Sequence, residues 1–416
     1  MRPRKNGIRM VNKTSMIDPL DFPEIVFGIC SPIGVDNRII TEIISAEMRY
    51  YNYSSHKIKI TDKMKDIKVV GMELKERPIT DKYDTYIKYA NKIRELFGIP
   101  SALSALSCVA IRNKRREINL SMGKDAKSYL EKTCYIIDQL KRPEEVSLLR
   151  QVYGRLFILI SVYSDESRRL QAVSNRIAAD LGDGRPTEED LSSARILMAR
   201  DQEEGEVTSG QRLRDAFALA DIFVDIDGRE GAQNAVGRFL RGFFGSNAIS
   251  PTRDEYGMYA AKGAALRSMD LSRQVGAAIF TADGEVITQG CNEVPKAGGG
   301  TYWSGDQNDF RDYVQGKDEN ERIKRSLLID VVKALWRGGF LKGEDGDERA
   351  LIERVVDESY VKGSPIRDAQ LMDLLEFGRI IHAEMSAICD AARVGRSVKD
   401  AVLYCTTFPC HICSSI

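Results

Sequence analysis

His382-Ala-Glu384 and, further along, Pro409-Cys-His-Ile-Cys413 decide how the second half of this chain reads. One imidazole and two thiolates are a ligand set that suits Zn²⁺. Three protein ligands leave the fourth tetrahedral position open, which marks a catalytic site rather than a closed structural one. The metal ligands are then His382, Cys410 and Cys413, and Glu384 is left over. A carboxylate at that place can carry protons between water and a substrate ring nitrogen, so Glu384 is the candidate catalytic residue. Met385, Ile388, Cys389 and Ala392 share one helical face, which predicts a helix over Met385–Val394 with His382 and Glu384 at its start. Ala401–Cys405 reads as a short apolar strand, and Pro409 as the opening of a second helix. The competing reading is a structural zinc knuckle with His411 as fourth ligand, which requires adjacent Cys410 and His411 to share one metal.

Composition bounds the rest. The chain has 416 residues, 43% hydrophobic and 29% charged, with a formal net charge of zero. That is ordinary for a globular protein of two or three domains, and it gives no global pull toward nucleic acid or membrane. No apolar run reaches membrane-spanning length and no signal-peptide core is visible, so a cytoplasmic protein is expected. The eight cysteines are scattered rather than framed as a disulfide scaffold.

Residues 1–20 carry Arg2, Arg4, Lys5, Arg9 and Lys13 and read as a flexible basic tail. Residues 21–245 read as a first domain. Glu24–Cys30 is a buried strand, Ser31–Asp36 a turn, Asn37–Tyr51 an amphipathic helix and His56–Ile60 the next strand. Lys132–Asp138 and Arg155–Val162 are further strands, separated by helices that include Tyr83–Phe97. Gly210–Val224 is a helix running into a strand. This alternation implies a parallel α/β sheet. The turn after the first strand looks like a phosphate-binding loop, with Gly28, Ser31, Gly34 and Asp36 as candidate nucleotide contacts. It lacks the lysine of G-x-x-x-x-G-K-[ST], so a degenerate nucleotide-binding domain or a purely structural one fits better than an active kinase. Asp138 stands where an Mg²⁺-holding acid would, and could equally cap its strand.

Residues 246–416 read as a second domain. Asp254–Ser268 is a helix, and Gln274–Phe280 and Val286–Gly290 are strands joined by Asp283-Gly284, a hairpin signal. A charged insertion over about 302–379 reads as a lid or an oligomer contact.

Arg267-Ser268, Gln274-Val-Gly-Ala, Gly290-Cys-Asn292-Glu and the two zinc motifs resemble the deoxycytidylate-type cytidine deaminase family, whose H-x-E with a later P-C-x-x-C is a general signature of zinc nucleobase deaminases. The resemblance implies a three-layer α/β/α domain and gives Asn292 the sugar or phosphate of a bound deoxynucleotide. Tyr135–Val146, Leu148–Gly154 and Gly210–Phe223 extend it to bacterial anti-phage dCTP deaminases, in which a P-loop NTPase/kinase-like domain precedes the deaminase. That family's fold runs on past the P-C-x-x-C helix, so the chain as given, ending at Ile416, is expected either to be a fragment or to have its core completed by something else. The expected reaction is zinc-dependent hydrolytic deamination of a free cytosine deoxynucleotide, dCTP or dCMP, by a homo-oligomer in anti-phage defence. A polynucleotide deaminase is the rival; zero net charge and few aromatic residues lean against it. A third reading, compatible with the first, makes the N-terminal domain a sensor for a nucleotide or RNA regulator.

Overall fold

The computed structural model describes residues 22–182, 184–202, 210–341, 347–361, 363–374 and 377–415. The basic tail expected at 1–20 lies outside them. The chain divides into two compact units, Met1–Ile249 and Ser250–Ile416.

The first unit is built on five parallel strands: β1 (Ile25–Cys30), β2 (Ser54–Lys59), β3 (Thr133–Leu140), β4 (Phe157–Tyr163) and β5 (Ile222–Asp225). Their spatial order is β2-β3-β1-β4-β5, and every pairing is parallel. The central strand reads IVFGIC and is buried throughout, as a parallel strand covered on both faces must be. Its alternate residues enter two separate cores. Val26 and Cys30 join Ile93, Ile111, Tyr135 and Leu149; Ile25, Phe27 and Ile29 join Ile40, Ile44 and Val236. A side chain at Gly28 would lie 2.6 Å from Leu140 and 2.8 Å from Phe157, so this glycine is needed for close packing.

Several boundaries differ from the sequence expectations. The helix placed at Tyr83–Phe97 starts at Ile79, and β2 occupies Ser54–Lys59. The helix expected to run on from Gly210 is only Leu213–Phe217. Asp221 ends it: its backbone N–H donates to the Leu159 carbonyl at 2.9 Å, and its carboxylate accepts from the Leu159 N–H at 2.8 Å, which draws the chain into β5 beside β4.

In the second unit β6 (Gly276–Phe280) pairs antiparallel with β7 (Val286–Cys291) and with β8 (Val402–Cys405). The Asp283-Gly284 hairpin forms, with Gly284 at φ 98°. Successive residues of β6 face opposite sides. Ala277 and Ile279 pack on Ala383 and Ala387 of the Ala383–Arg393 helix. Ala278 and Phe280 pack on Ala260 and Ala261 of the Arg253–Ala265 helix. The result is helix, sheet, helix: a three-layer α/β/α unit. Two glycines let the layers close. A Cβ at Gly276 would fall 2.0 Å from the Ala261 carbonyl, and one at Gly290 would fall 2.3 Å from the Ala383 carbonyl. Residues of the insertion form helices Asp312–Gln315, Glu319–Arg337 and Glu348–Glu358 and a 3₁₀ turn Gln370–Asp373, with a small core of their own around Leu328, Val332 and Met372.

Gly290→Ala is expected to push the Ala383–Arg393 helix off the sheet at a cost of about 1–3 kcal/mol, the usual range for overpacking. Trp303 and Trp336, the only two tryptophans, both lie in the second unit, so tryptophan fluorescence during urea unfolding reads that unit alone. Gly263→Ala, where a Cβ would meet nothing within 4 Å, should leave the midpoint unchanged or slightly raised.

Candidate active site

The small side chains of Ala383 and Ala387 set the Ala383–Arg393 helix directly on β7, and so fix where the helix begins. His382 is its N-cap, in extended backbone (φ −70°, ψ 155°), with its carbonyl accepting the Ser386 N–H at 2.8 Å. The imidazole therefore stands just outside the helix. Glu384 lies in the first turn, buried, where the helix dipole favours a carboxylate. The helix begins at Ala383, two residues before the expected start at Met385, because the small pair at 383 and 387 is the part that meets the sheet.

The two cysteines arrive from β8. Its exit is tied to the start of β6 by a reciprocal pair: Thr406 N–H to the Gly276 carbonyl, and Gly276 N–H to Thr406 Oγ1, both 3.0 Å. Residues 407–409 then carry the chain across to His382. Cys410 Sγ lies 3.1 Å and Cys413 Sγ 3.3 Å from His382 Nδ1. The expected helix from Pro409 is a turn closed by the Ser414 N–H on the Cys410 carbonyl at 3.0 Å, followed by a 3₁₀ segment, Cys413–Ser415. It is enough to bring both thiols to one side. His411 is exposed and its carbonyl accepts from Ser414 and Ser415, so it stands apart from the three-donor group, and the knuckle geometry with His411 as fourth ligand does not form.

The donor atoms of His382, Cys410 and Cys413 all lie within 4.8 Å of one another. Ligands about 2.0–2.3 Å from one tetrahedral zinc sit about 3.5 Å apart, so the observed separations suit the ion. The local charge suits it as well. Burial first, then the Cys410 thiol and the Glu384 carboxylate, push the Cys413 thiol up to about 12. Among the described residues no lysine or arginine forms an ion pair with Glu384, and two thiols beside a carboxylate are the charge complement of a divalent cation.

These groups open onto a cavity of about 420 Å³ within the second unit. Its wall includes Arg273, Asn292, Lys324, Arg367, Thr407 and Phe408 as well as His382, Glu384 and Cys410. Lys324, Arg367 and Met372 come from the insertion, which therefore forms part of the wall. Asn292 is buried and hydrogen-bonded to the Asp270–Val275 loop. Its Oδ1 accepts the Val275 N–H at 2.6 Å, and its Nδ2 donates to Asp270 Oδ2 and to the Arg273 carbonyl, both at 2.9 Å. In this arrangement it shapes the loop that bears Arg273. Its neighbour Glu293 was not singled out from the sequence. It is buried, accepts from the Met269 and Val294 N–H groups, and its carbonyl receives the Ile381 N–H at 3.2 Å. That contact registers the residue before His382 against the end of β7. Burial outweighs the hydrogen bonds and raises the Glu293 carboxyl above its ordinary range.

The candidate nucleotide residues of the first unit do not form one cluster with open donors. Gly28 is inside β1. Gly34, at φ 93°, lies where a Cβ would be 2.8 Å from Arg169 Cβ. The Ser31 carbonyl accepts from Lys141 Nζ at 2.7 Å. Asp36 caps the Asn37–Tyr50 helix by accepting the Arg38 N–H, so a carboxylate already occupies that helix start. Asp138 accepts from Asn37 Nδ2 at 2.7 Å and pairs with Lys57 at 3.1 Å.

A family model described as the cytidine and deoxycytidylate deaminase zinc-binding region matches residues 251–416. No curated protein matches the chain significantly. Among solved structures, a shikimate kinase from Bacteroides thetaiotaomicron is similar over 53% of this chain and 98% of its own, at 10% identity and a TM-score of 0.28. A gluconokinase from Sinorhizobium meliloti 1021 is similar over 54% and 98%, at 11% identity and a TM-score of 0.26. The second unit thus matches a zinc-binding deaminase region over nearly all its length, and Zn²⁺ is the cofactor its donor set fits.

Cys410→Ser should remove most of the zinc, since a hydroxyl is seldom ionised and binds zinc poorly. His411→Ala should leave the metal in place. Zinc content per chain, by plasma emission spectrometry on folded protein, reads both.

Proposed function

We propose that this chain deaminates a free cytosine deoxynucleotide, dCTP or dCMP, to the uracil nucleotide with release of ammonia. The observation that carries the reading is the His382–Cys410–Cys413 group beside buried Glu384 at one wall of a 420 Å³ cavity. When bound, zinc held by those three residues supplies a Lewis acid that makes water a nucleophile at neutral pH. Glu384 does the proton work. Its carboxylate takes a proton from the attacking water and delivers it to ring N3 as the water oxygen bonds to C4. The exocyclic nitrogen then leaves as ammonia with the second water proton. Burial around Glu384 excludes bulk water and keeps that proton local.

The preference for a free nucleotide rests on the cavity's walls. Arg273 and Arg367 form no ion pair with any described residue, so both guanidinium groups remain available to phosphate. Arg367 belongs to the insertion, which forms part of the wall of a cavity within the usual size range for small-molecule sites. A role in depleting dCTP during phage infection rests on the sequence resemblance, a cytoplasmic location on the scattered cysteines and the lack of a long apolar run, and a homo-oligomeric state on reading the insertion as a contact. Among the described residues no single helix is long and apolar enough to cross a membrane.

Glu384→Gln is expected to keep zinc and melting temperature while lowering turnover at or beyond the upper end of the about 10²–10⁴-fold range for general acid–base groups. A folded, metal-loaded variant with near wild-type turnover overturns the mechanism. Arg367→Ala should raise KM for dCMP and dCTP by about 10- to 100-fold, one charged hydrogen bond, and leave deoxycytidine unaffected. The same enzyme offered a cytosine-bearing single-stranded oligonucleotide should yield no uracil by mass spectrometry.

A further inference from the structure

The turn after β1 carries no lysine, yet an ammonium group reaches it from elsewhere. Lys141, just past β3, is buried and donates from Nζ to the Ser31 carbonyl at 2.7 Å. The same Nζ donates to both carboxylate oxygens of Asp201, at 2.8 and 2.9 Å. The Ile33 N–H, from the middle of the turn, donates to Asp201 Oδ2 at 2.8 Å. A turn amide and a lysine therefore converge on one oxyanion, and the oxyanion is the protein's own. Asp201 lies in the last turn of the Glu188–Gln202 helix, where the dipole disfavours a carboxylate, so its tertiary partners hold it there.

A cavity of about 320 Å³ opens on this group. It sits at the carboxyl ends of β2 and β3 beside the central strand, where open parallel sheets bind ligands. Lys59 and Gln139 bring those strand ends into the wall. Gln139 has φ 77°, an uncommon conformation outside glycine that concentrates at binding sites. Ile60, Met64, Ile87 and Leu103 form an apolar side, and Arg176 adds a guanidinium with no ion-pair partner among the described residues. This seat is separate from the start of the Asn37–Tyr50 helix, which Asp36 occupies.

We infer that this cavity binds a phosphate monoester with an apolar or planar body, of nucleoside monophosphate size, and that its phosphate takes the place of the Asp201 carboxylate on Ile33 and Lys141. The class follows from competition. A free carboxylate would exchange like for like with a tethered one and lose to its high effective concentration. A phosphate dianion brings a second charge and a third oxygen, and Arg176 can answer both. Asp201 is thus an internal stand-in for the ligand. Its release frees the last turn of the Glu188–Gln202 helix, which makes ligand binding a signal within the first unit. The inference is independent of the deamination reading.

The test is calorimetric titration of the full chain with adenosine 5′-monophosphate, a probe with the right charge and size and no cytosine. Wild type should bind it. Asp201→Asn, which keeps shape and removes the competing charge, should bind about tenfold tighter or better. Lys141→Met combined with Asp201→Asn removes both charges without burying either alone, and should abolish binding at an unchanged melting temperature. Adenosine should bind none of the three measurably. Hydrogen exchange in the last turn of the Glu188–Gln202 helix should rise on adding adenosine monophosphate to wild type. Equal affinity in wild type and Asp201→Asn, binding retained in the double variant, or no binding to either of the first two overturns the inference.

Discussion

The contact of the Ala383–Arg393 helix with β7 at Gly290 is the constraint on which the metal centre depends. The helix backbone lies so near the strand that even one methyl group would collide with it. That closeness leaves the helix almost no freedom to slide or roll, because interiors packed at crystal density do not deform continuously. His382 and Glu384 then take their places from the helix start. The other half of the site is positioned through the same sheet: β8 pairs with β6, and the Thr406–Gly276 pair fixes the point where the chain leaves for Cys410. Two segments far apart in sequence thus meet because each is held to one three-stranded sheet.

Much of this was legible because the chemistry is local in sequence. His382 with Glu384, and Cys410 with Cys413, each fit within one turn of chain, and the motif pointed to the three donors that the fold brings together. The βαβ alternation likewise foretold a parallel sheet, and the short, uniformly apolar run IVFGIC fits a strand covered on both faces. Gly276 and Gly290 were visible as residues, but their use was not. A glycine in a strand pattern signals close approach without saying of what. Which helix comes near is decided by tertiary structure.

What the sequence concealed is long-range and polar. Asn292 reads as a substrate contact by resemblance, and in the folded chain its amide also ties the Asp270–Val275 loop to the end of β7. Glu293 has no motif of its own, yet it registers Ile381 and so His382. Lys141 and Asp201 are 60 positions apart, and the amide that joins them belongs to Ile33, which no periodicity would select. Buried charge depends on who is opposite, and a single sequence does not list opposites.

The two units handle anions in contrasting ways, and the contrast follows from what each buries. In the second unit two thiols and a carboxylate converge, a group whose anionic form is matched by a metal cation. In the first unit cationic and amide donors converge and the chain supplies an anion from its own helix. A site that lacks its counter-charge gains stability by binding a cofactor and holds it tightly. A site that fills itself is stable when empty and gives way only to a ligand that binds better than the stand-in. The first arrangement suits a resident cofactor, and the second a molecule whose concentration changes. A chain that carries both can keep its chemistry permanently armed while leaving one of its units responsive to the pool of small phosphates around it.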